Sequence, residues 1–270
     1  MNNITFALNH MSAPRLGVSD FFALAGSLGI DRVEIRNDLA SNAILDGTPA
    51  AAIRASAEKA GLDIVSINAL QRFNEWTQER EAEARFLIEY ARECGARALV
   101  LVPVNDGSGR AEGERQANLR VALQALGPIL RSNGVIGLVE PLGFQTCSLR
   151  SKREAVDAID AVDGGDVFRI VHDTFHHVLA GEPDIFPVRT GLVHISGVTD
   201  NTVGVDDMRD PHRVLVRPGD RLDNIGQIRA LRAAGYKGAF SFEPFAPSVH
   251  SAADPVPLIA ESMEFIRTHA

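Results

Sequence analysis

Glu140, Asp173, His194 and Glu243 each fall at or beside the end of a short aliphatic run: GLVE, RIVHD, LVHIS and FSFE. Three carboxylates and one imidazole form a hard-to-borderline donor set that suits one divalent metal, Mn²⁺, Co²⁺, Mg²⁺ or Zn²⁺. A single charged residue in such a place is commonly a salt-bridge partner or a helper at a helix end. Four in succession are harder to explain that way. A buried carboxylate is costly without a cation, and few Lys or Arg stand at these ends to pair them. Proline follows both Glu140 and Glu243. It biases the preceding residue toward extended backbone, which would fix the direction of each carboxylate; it is equally compatible with a plain strand stop.

Other residues join this set by position. His176 lies three residues past Asp173 in DTFHH, within reach of a substrate oxygen or a metal ligand. His172 and His177 read as structural or exposed. Asn9, Glu34, Arg36 and Asn68 end runs of their own, and amides and a guanidinium suit the recognition of hydroxyls. Glu34 and Arg36 share a strand face and are equally placed to pair with one another. Phe73 and Trp76, in QRFNEW, either wall a pocket or pack against its rim.

The elements that position these residues repeat one pattern. An Ala-rich amphipathic segment ends in Gly, and a short aliphatic or β-branched run follows, as in AEKAGLDIVSIN and ARECGARALVLV. Gly29, Gly61, Gly95, Gly134 and Gly235 stand where a helix C-terminus takes a left-handed residue. The runs are nearly continuous in apolar character, as are strands buried on both faces of a parallel sheet. Eight are predicted: 4–9, 32–36, 63–68, 98–103, 136–140, 168–173, 192–196 and 239–243. Helices are expected over 19–28, 48–60, 78–94, 112–132, 151–162, 224–234 and 254–269. Ser19 and Ser151 are the expected N-caps, with Glu154 at capping-box spacing from Ser151. Eight strand–helix alternations predict an α/β fold, a single (β/α)₈ TIM barrel over 1–270. The doubly wound alternative usually carries a Gly-rich phosphate turn after its first strand, and NHMSAPRLG is not one. Connections 69–77, 103–111, 141–150 and 197–223 all follow strands and would build the face where barrel active sites sit. The last is long enough for a wall or lid.

Bulk properties narrow the function. The 270 residues carry a formal net charge of −8, a poor footprint for nucleic acid. Mean hydropathy is −0.01 and no apolar run nears membrane-spanning length, so no membrane partner is expected. The first twenty residues lack a secretory pattern, and the expected location is the cytoplasm. The two cysteines need not pair, and Cys94 reads as a small buried residue.

The segments FALNHMSAP, VEIRND, SINALQRFN, LVLVPV, VEPLGFQTCSLRS, HDTFHH, LVHISGVTD, HRVLVRPGDRLDN and SFEPF resemble, in order, the xylose-isomerase-like TIM-barrel superfamily of sugar isomerases and epimerases. SINALQRFN and QTCS are most similar to its inosose (2-keto-myo-inositol) isomerase branch. The resemblance implies a single metal on Glu140, Asp173, His194 and Glu243, substrate contact by His176, and a loop arginine at the site. HRVLVRPGD is longer than the usual form of that loop, so Arg213 and Arg217 compete for the role. Asn9, Glu34 and Asn68 would complete the substrate-binding set. The 3-epimerases carry a further Glu where this chain has Thr146, which lowers the case for that activity. The implied reaction is proton transfer beside a ketone through a metal-stabilised enediolate, with Glu140 and Glu243 as acid and base. The partner would be an unphosphorylated keto-sugar or keto-inositol, with a homo-oligomer possible. Rival activities are hydroxypyruvate isomerase and ketose 3-epimerase, then a non-catalytic sugar-binding barrel. An apurinic-endonuclease-like phosphodiesterase would want extra histidines where Asn9, Glu34 and Asn68 stand.

Overall fold

Alternating side-chain direction along each strand decides what the sheet can enclose. The computed structural model describes residues 4–40 and 43–270. Eight parallel strands close in sequence order into a barrel: β1 (Phe6–Asn9), β2 (Arg32–Arg36), β3 (Asp63–Gln71), β4 (Ala98–Val102), β5 (Ile136–Val139), β6 (Phe168–Asp173), β7 (Thr190–Ile195) and β8 (Phe240–Phe242). β8 closes on β1 through Phe6↔Phe240 and Leu8↔Phe242. The ring has no open edge, which excludes the doubly wound alternative.

One set of alternate positions faces the barrel interior. Its lower layers are small or aliphatic: Ala7, Ala98, Val100, Leu138, Val171, Leu192 and Ala239 form one buried cluster. Two residues further along the same strands the interior turns polar, at Asn9, Glu140, Asp173, His194 and Ser241. The other set packs outward on the helices in a larger core that includes Leu8, Val33, Ile35, Leu99, Leu101, Val139, Ile170, Val193 and Phe242.

The outer helices are α1 (Val18–Ser27), α2 (Ala50–Ala60), α3 (Gln78–Cys94), α4 (Glu114–Asn133), α5 (Lys152–Ala161), α6 (Thr174–Ala180), α7 (Asn224–Ala233), α8 (Pro247–His250) and α9 (Val256–His269). Gly61, Gly95 and Gly134 cap α2, α3 and α4 with left-handed backbone, as their positions imply. The expected start of α1 needs correction. Extended Gly17 is the N-cap, so the helix begins earlier and Ser19 lies inside its first turn. Ser151 does cap α5, accepting from the Glu154 amide at 3.2 Å. The Glu154 carboxylate is instead spent on Arg115. β3 also runs three residues past Asn68, which shortens the connection after it. Cys94 and Cys147 are both buried free thiols.

Candidate metal centre

The four strand-end residues converge. One donor atom from each of Glu140, Asp173, His194 and Glu243 lies within 4.8 Å of the other three, and all four residues are buried. Backbone pairing carries strand geometry into both glutamates. Glu140 N donates to Leu101 O at 3.1 Å, and Glu243 N to Ile195 O at 3.0 Å. Register does the rest, setting Asp173 beside His194 and His194 beside Ser241. His194 Nδ1 faces the cluster, 2.8 Å from Glu140 Oε1, 3.3 Å from Glu243 Oε2 and 4.0 Å from Asp173 Oδ2. Asp173 works at both oxygens. Oδ1 caps α6, accepting from Phe175 N and His176 N at 2.7 and 3.0 Å. Oδ2 stays with the cluster.

Cations reach this site after all, contrary to expectation. Arg36 donates to Glu243 Oε1 at 2.8 Å. Arg213 donates to Glu243 Oε2 at 3.0 Å and to Asp173 Oδ2 at 2.7 Å. Burial alone would raise the Glu243 carboxyl, but His194, Arg213 and Arg36 together hold it well below the usual range. Burial would likewise lower His194, yet Glu243, Glu34 and Glu140 raise it well above an ordinary imidazole. Four buried carboxylates thus surround His194, counting Glu34, and two buried guanidiniums offset two of them. With the His194 ring neutral, as a metal ligand must be, two negative charges remain and match one divalent cation. Donor set and charge both fit such an ion, to be held by Glu140, Asp173, His194 and Glu243.

A pocket of about 390 Å³ opens above the cluster. Glu140, Glu243, His176, Arg213 and Asn68 line it, with Phe144 and Phe245 as aromatic walls. His176 sits on α6, a helix absent from the sequence-based expectations, edge-on to Phe144. Its Nδ1 is buried without a protein partner. Arg213 stacks over Phe245 at 4.5 Å. Of the two loop arginines Arg213 lines the pocket, whereas Arg217 is exposed, donates to Thr199 Oγ1 at 3.1 Å, and does not line it.

Asn9 and Glu34, grouped with substrate-binding residues on sequence grounds, lie beneath the pocket and away from its surface. Asn9 Nδ2 donates to Glu243 Oε1 at 3.3 Å, and its Oδ1 accepts from Arg36. Glu34 accepts from Ser66, Asn68 and Ser241 and faces His194 Nε2. Nor do Glu34 and Arg36 pair; Arg36 turns to Glu243 and Asp38. Phe73 belongs to the helix–sheet core and half-buried Trp76 packs against it, and neither lines the pocket above the cluster. His172 and His177 are structural, held by Gln227 and Lys152. Sequence reasoning passed over Ser66 and Ser241. The period-two pattern carried their signal, since each stands two residues before a singled-out strand-end residue.

A family model described as the xylose isomerase-like TIM barrel matches residues 22–269. The chain belongs to that family. One solved relative, a xylose isomerase domain containing protein from Salmonella typhimurium LT2, is 34% identical. It aligns over 100% of this chain and 98% of its own, with a TM-score of 0.88. The IOLI protein, solved with a bound zinc atom, is 19% identical over 99% of each chain with a TM-score of 0.87. The 3-keto-D-glucoside 4-epimerase from E. coli is 18% identical over 98% of this chain and 100% of its own, at 0.75. The last two likenesses are of fold. No protein of curated function matches the sequence significantly.

Proposed function

We propose that this xylose isomerase-like barrel is a divalent-metal-dependent isomerase or epimerase of an unphosphorylated keto-sugar or keto-inositol, of the inosose-isomerase kind. The observation that carries the reading is the convergence of four buried donor atoms within 4.8 Å at the floor of a pocket. Two of their owners, Glu140 and Glu243, also line that pocket. The zinc bound by the IOLI protein, and the epimerase activity named for the E. coli relative, point the same way.

The chemical obstacle is the weak acidity of a C–H beside a ketone. A bound divalent ion would stabilise the negative charge that develops on the substrate oxygens as that proton leaves. Glu140 and Glu243 act as base and acid from two sides of the cluster. Arg36 and Arg213 hold Glu243 in place, while Glu140 has neither guanidinium against it and is the freer to take the proton. His176 offers its unpartnered Nδ1 to a substrate hydroxyl. In isomerisation Glu140 returns the proton to the neighbouring carbon; in epimerisation Glu140 releases it to solvent, and Glu243, ionised at rest, would first take one from solvent and deliver it to the opposite face of the same carbon.

The pocket volume lies near the lower end of the ~300–1,000 Å³ usual for small-molecule sites, which suits a six-carbon polyol better than hydroxypyruvate. Its arginines already face carboxylates: Arg36 with Asp38, Arg72 with Asp106, and Arg213 with Asp173. A phosphate would have to compete for them, which favours a neutral substrate. The phosphodiesterase reading is disfavoured, because this cluster is the one group of three or more potential ligands among the described residues. The test is a screen of 2-keto-inositols, ketohexoses and hydroxypyruvate, with Mn²⁺, Co²⁺, Mg²⁺ or EDTA, for deuterium uptake from solvent. Glu140→Gln and Glu243→Gln are each expected to abolish uptake. Uptake retained in both would remove their assignment as acid and base.

A further inference from the structure

Glu34 is a buried carboxylate that the reaction above leaves unused. It projects from β2 into the barrel, fully enclosed. Ser66 Oγ of β3 donates to Oε2 at 2.6 Å and Asn68 Nδ2 at 2.7 Å. Ser241 Oγ of β8 donates to Oε1. The remaining partner is Nε2 of His194, 3.2 Å from Oε2. Across the same ring, Nδ1 faces Glu140 and Glu243.

A neutral imidazole has one N–H and one lone pair, and an ionised carboxylate can only accept. Both ring nitrogens face carboxylates, but an ion held beside Glu140 and Glu243 would take the lone pair of Nδ1, which leaves the one hydrogen on Nε2, where Glu34 accepts it. Taking the metal-centre reading as its basis, we propose that Glu34 is a positioning residue that fixes His194 as its Nε2–H tautomer and presents Nδ1 to the ion. Histidines that ligate metals generally donate their second ring nitrogen to a carboxylate, carbonyl or water. Here the partner comes from across the barrel. Ser66 and Asn68 hold one oxygen of Glu34 and Ser241 the other, which keeps the carboxylate against the ring. An apolar side chain of equal volume would fill the space without selecting a nitrogen. The small polar residues of β2, β3 and β8 thus serve a ligand on β7.

Two readouts test this. In zinc-loaded wild-type protein labelled with ¹⁵N at histidine, long-range ¹H–¹⁵N NMR is expected to show His194 protonated at Nε2 and metal-bound at Nδ1. His194→Asn supplies the assignment. The opposite tautomer would overturn the proposal, whether or not any Glu34 variant folds. In Glu34→Gln, with circular dichroism showing the native fold, calorimetric titration with Zn²⁺ is expected to give a Kd about ten- to a hundredfold above wild type. Equal affinity in the folded variant would also overturn it. Should the wild type take up no zinc, the metal-centre reading falls and this role with it. Should the wild type bind while both readouts fail, only the role of Glu34 is lost.

Discussion

Arg213 shows how much a single side chain decides here. Its guanidinium is 2% exposed and spans Asp173 and Glu243. Removing one partner of a buried ion pair leaves the other charge uncompensated, at a cost of about 3–5 kcal/mol. Arg213→Ala is therefore expected to lower the unfolding free energy by about that amount and to abolish turnover. Arg217→Ala, at an exposed position, is expected to leave both within error. Denaturant melts and turnover assays on the two variants check the contrast; equal behaviour would contradict it. The sequence alone could not separate these arginines, because both sit in HRVLVRPGD and only the course of the loop turns one inward. The four clustered residues were legible because strand ends and donor chemistry coincide. Asn9 and Glu34 were legible as polar residues at strand ends and were read toward substrate, because their facing partners lie 234 and 160 positions away in sequence, at Glu243 and His194. His10 gives a residue-scale expectation about pH. Its ring stacks on Phe21 and Nε2 meets Leu16 O at 2.9 Å. Burial pushes its pKa down to about 4, although the Leu16 carbonyl works against the shift. The folded value lies below the unfolded one, so the unfolded chain binds the proton more readily. The contribution is fully present above about pH 6.5 and is lost as pH falls toward about 4, on the order of 3 kcal/mol. His10→Gln should flatten the acid loss of stability in urea melts between pH 6.5 and 4. An unchanged slope would contradict this.

Among the elements, α6 is the one that carries function without a sequence signature. It is seven residues long, too short for an amphipathic period to show. Its N-cap is Asp173, itself a member of the cluster, so one residue both starts the helix and serves the site. Gly143, in the loop after β5, lets that loop close against the helix. A Cβ there would lie 2.5 Å from both His176 O and Leu179 Cβ. Gly143→Ala must then displace α6, and His176 with it. Overpacking of this kind costs about 1–3 kcal/mol. The expected result is a lowered thermal midpoint together with a fall in kcat/KM. A normal midpoint with normal turnover would show that the loop has room to give. The longer helices were legible because Gly caps and apolar periodicity agree; α3 and the strands β2 and β6 fall where their patterns place them. The start of α1 was misplaced because an extended glycine leaves no side-chain signal of its capping role.

At the scale of the whole molecule, one alternation organises both stability and chemistry. Interior positions are apolar at the bottom of the barrel and polar at the top, so packing holds the strands while their ends face the pocket. Closure of β1 on β8 brings Phe6 against Phe242, with ring centroids 5.3 Å apart. It also brings Asn9, from the start of the chain, to Glu243 near its end. That closure could be inferred from eight repeats, but the strand register that sets Glu34 under His194 could not. No helix among the described residues is long and apolar enough to cross a membrane. The central claim is that this barrel gathers one ion on four strand ends and uses it for proton transfer. It is tested most directly by stepwise addition of Mn²⁺ to metal-free protein, following deuterium uptake from solvent into the best substrate of the screen. The account requires no uptake without metal, and a rise that saturates at one ion per chain. Uptake that persists in the metal-free protein, or that needs two or three ions per chain, would contradict it.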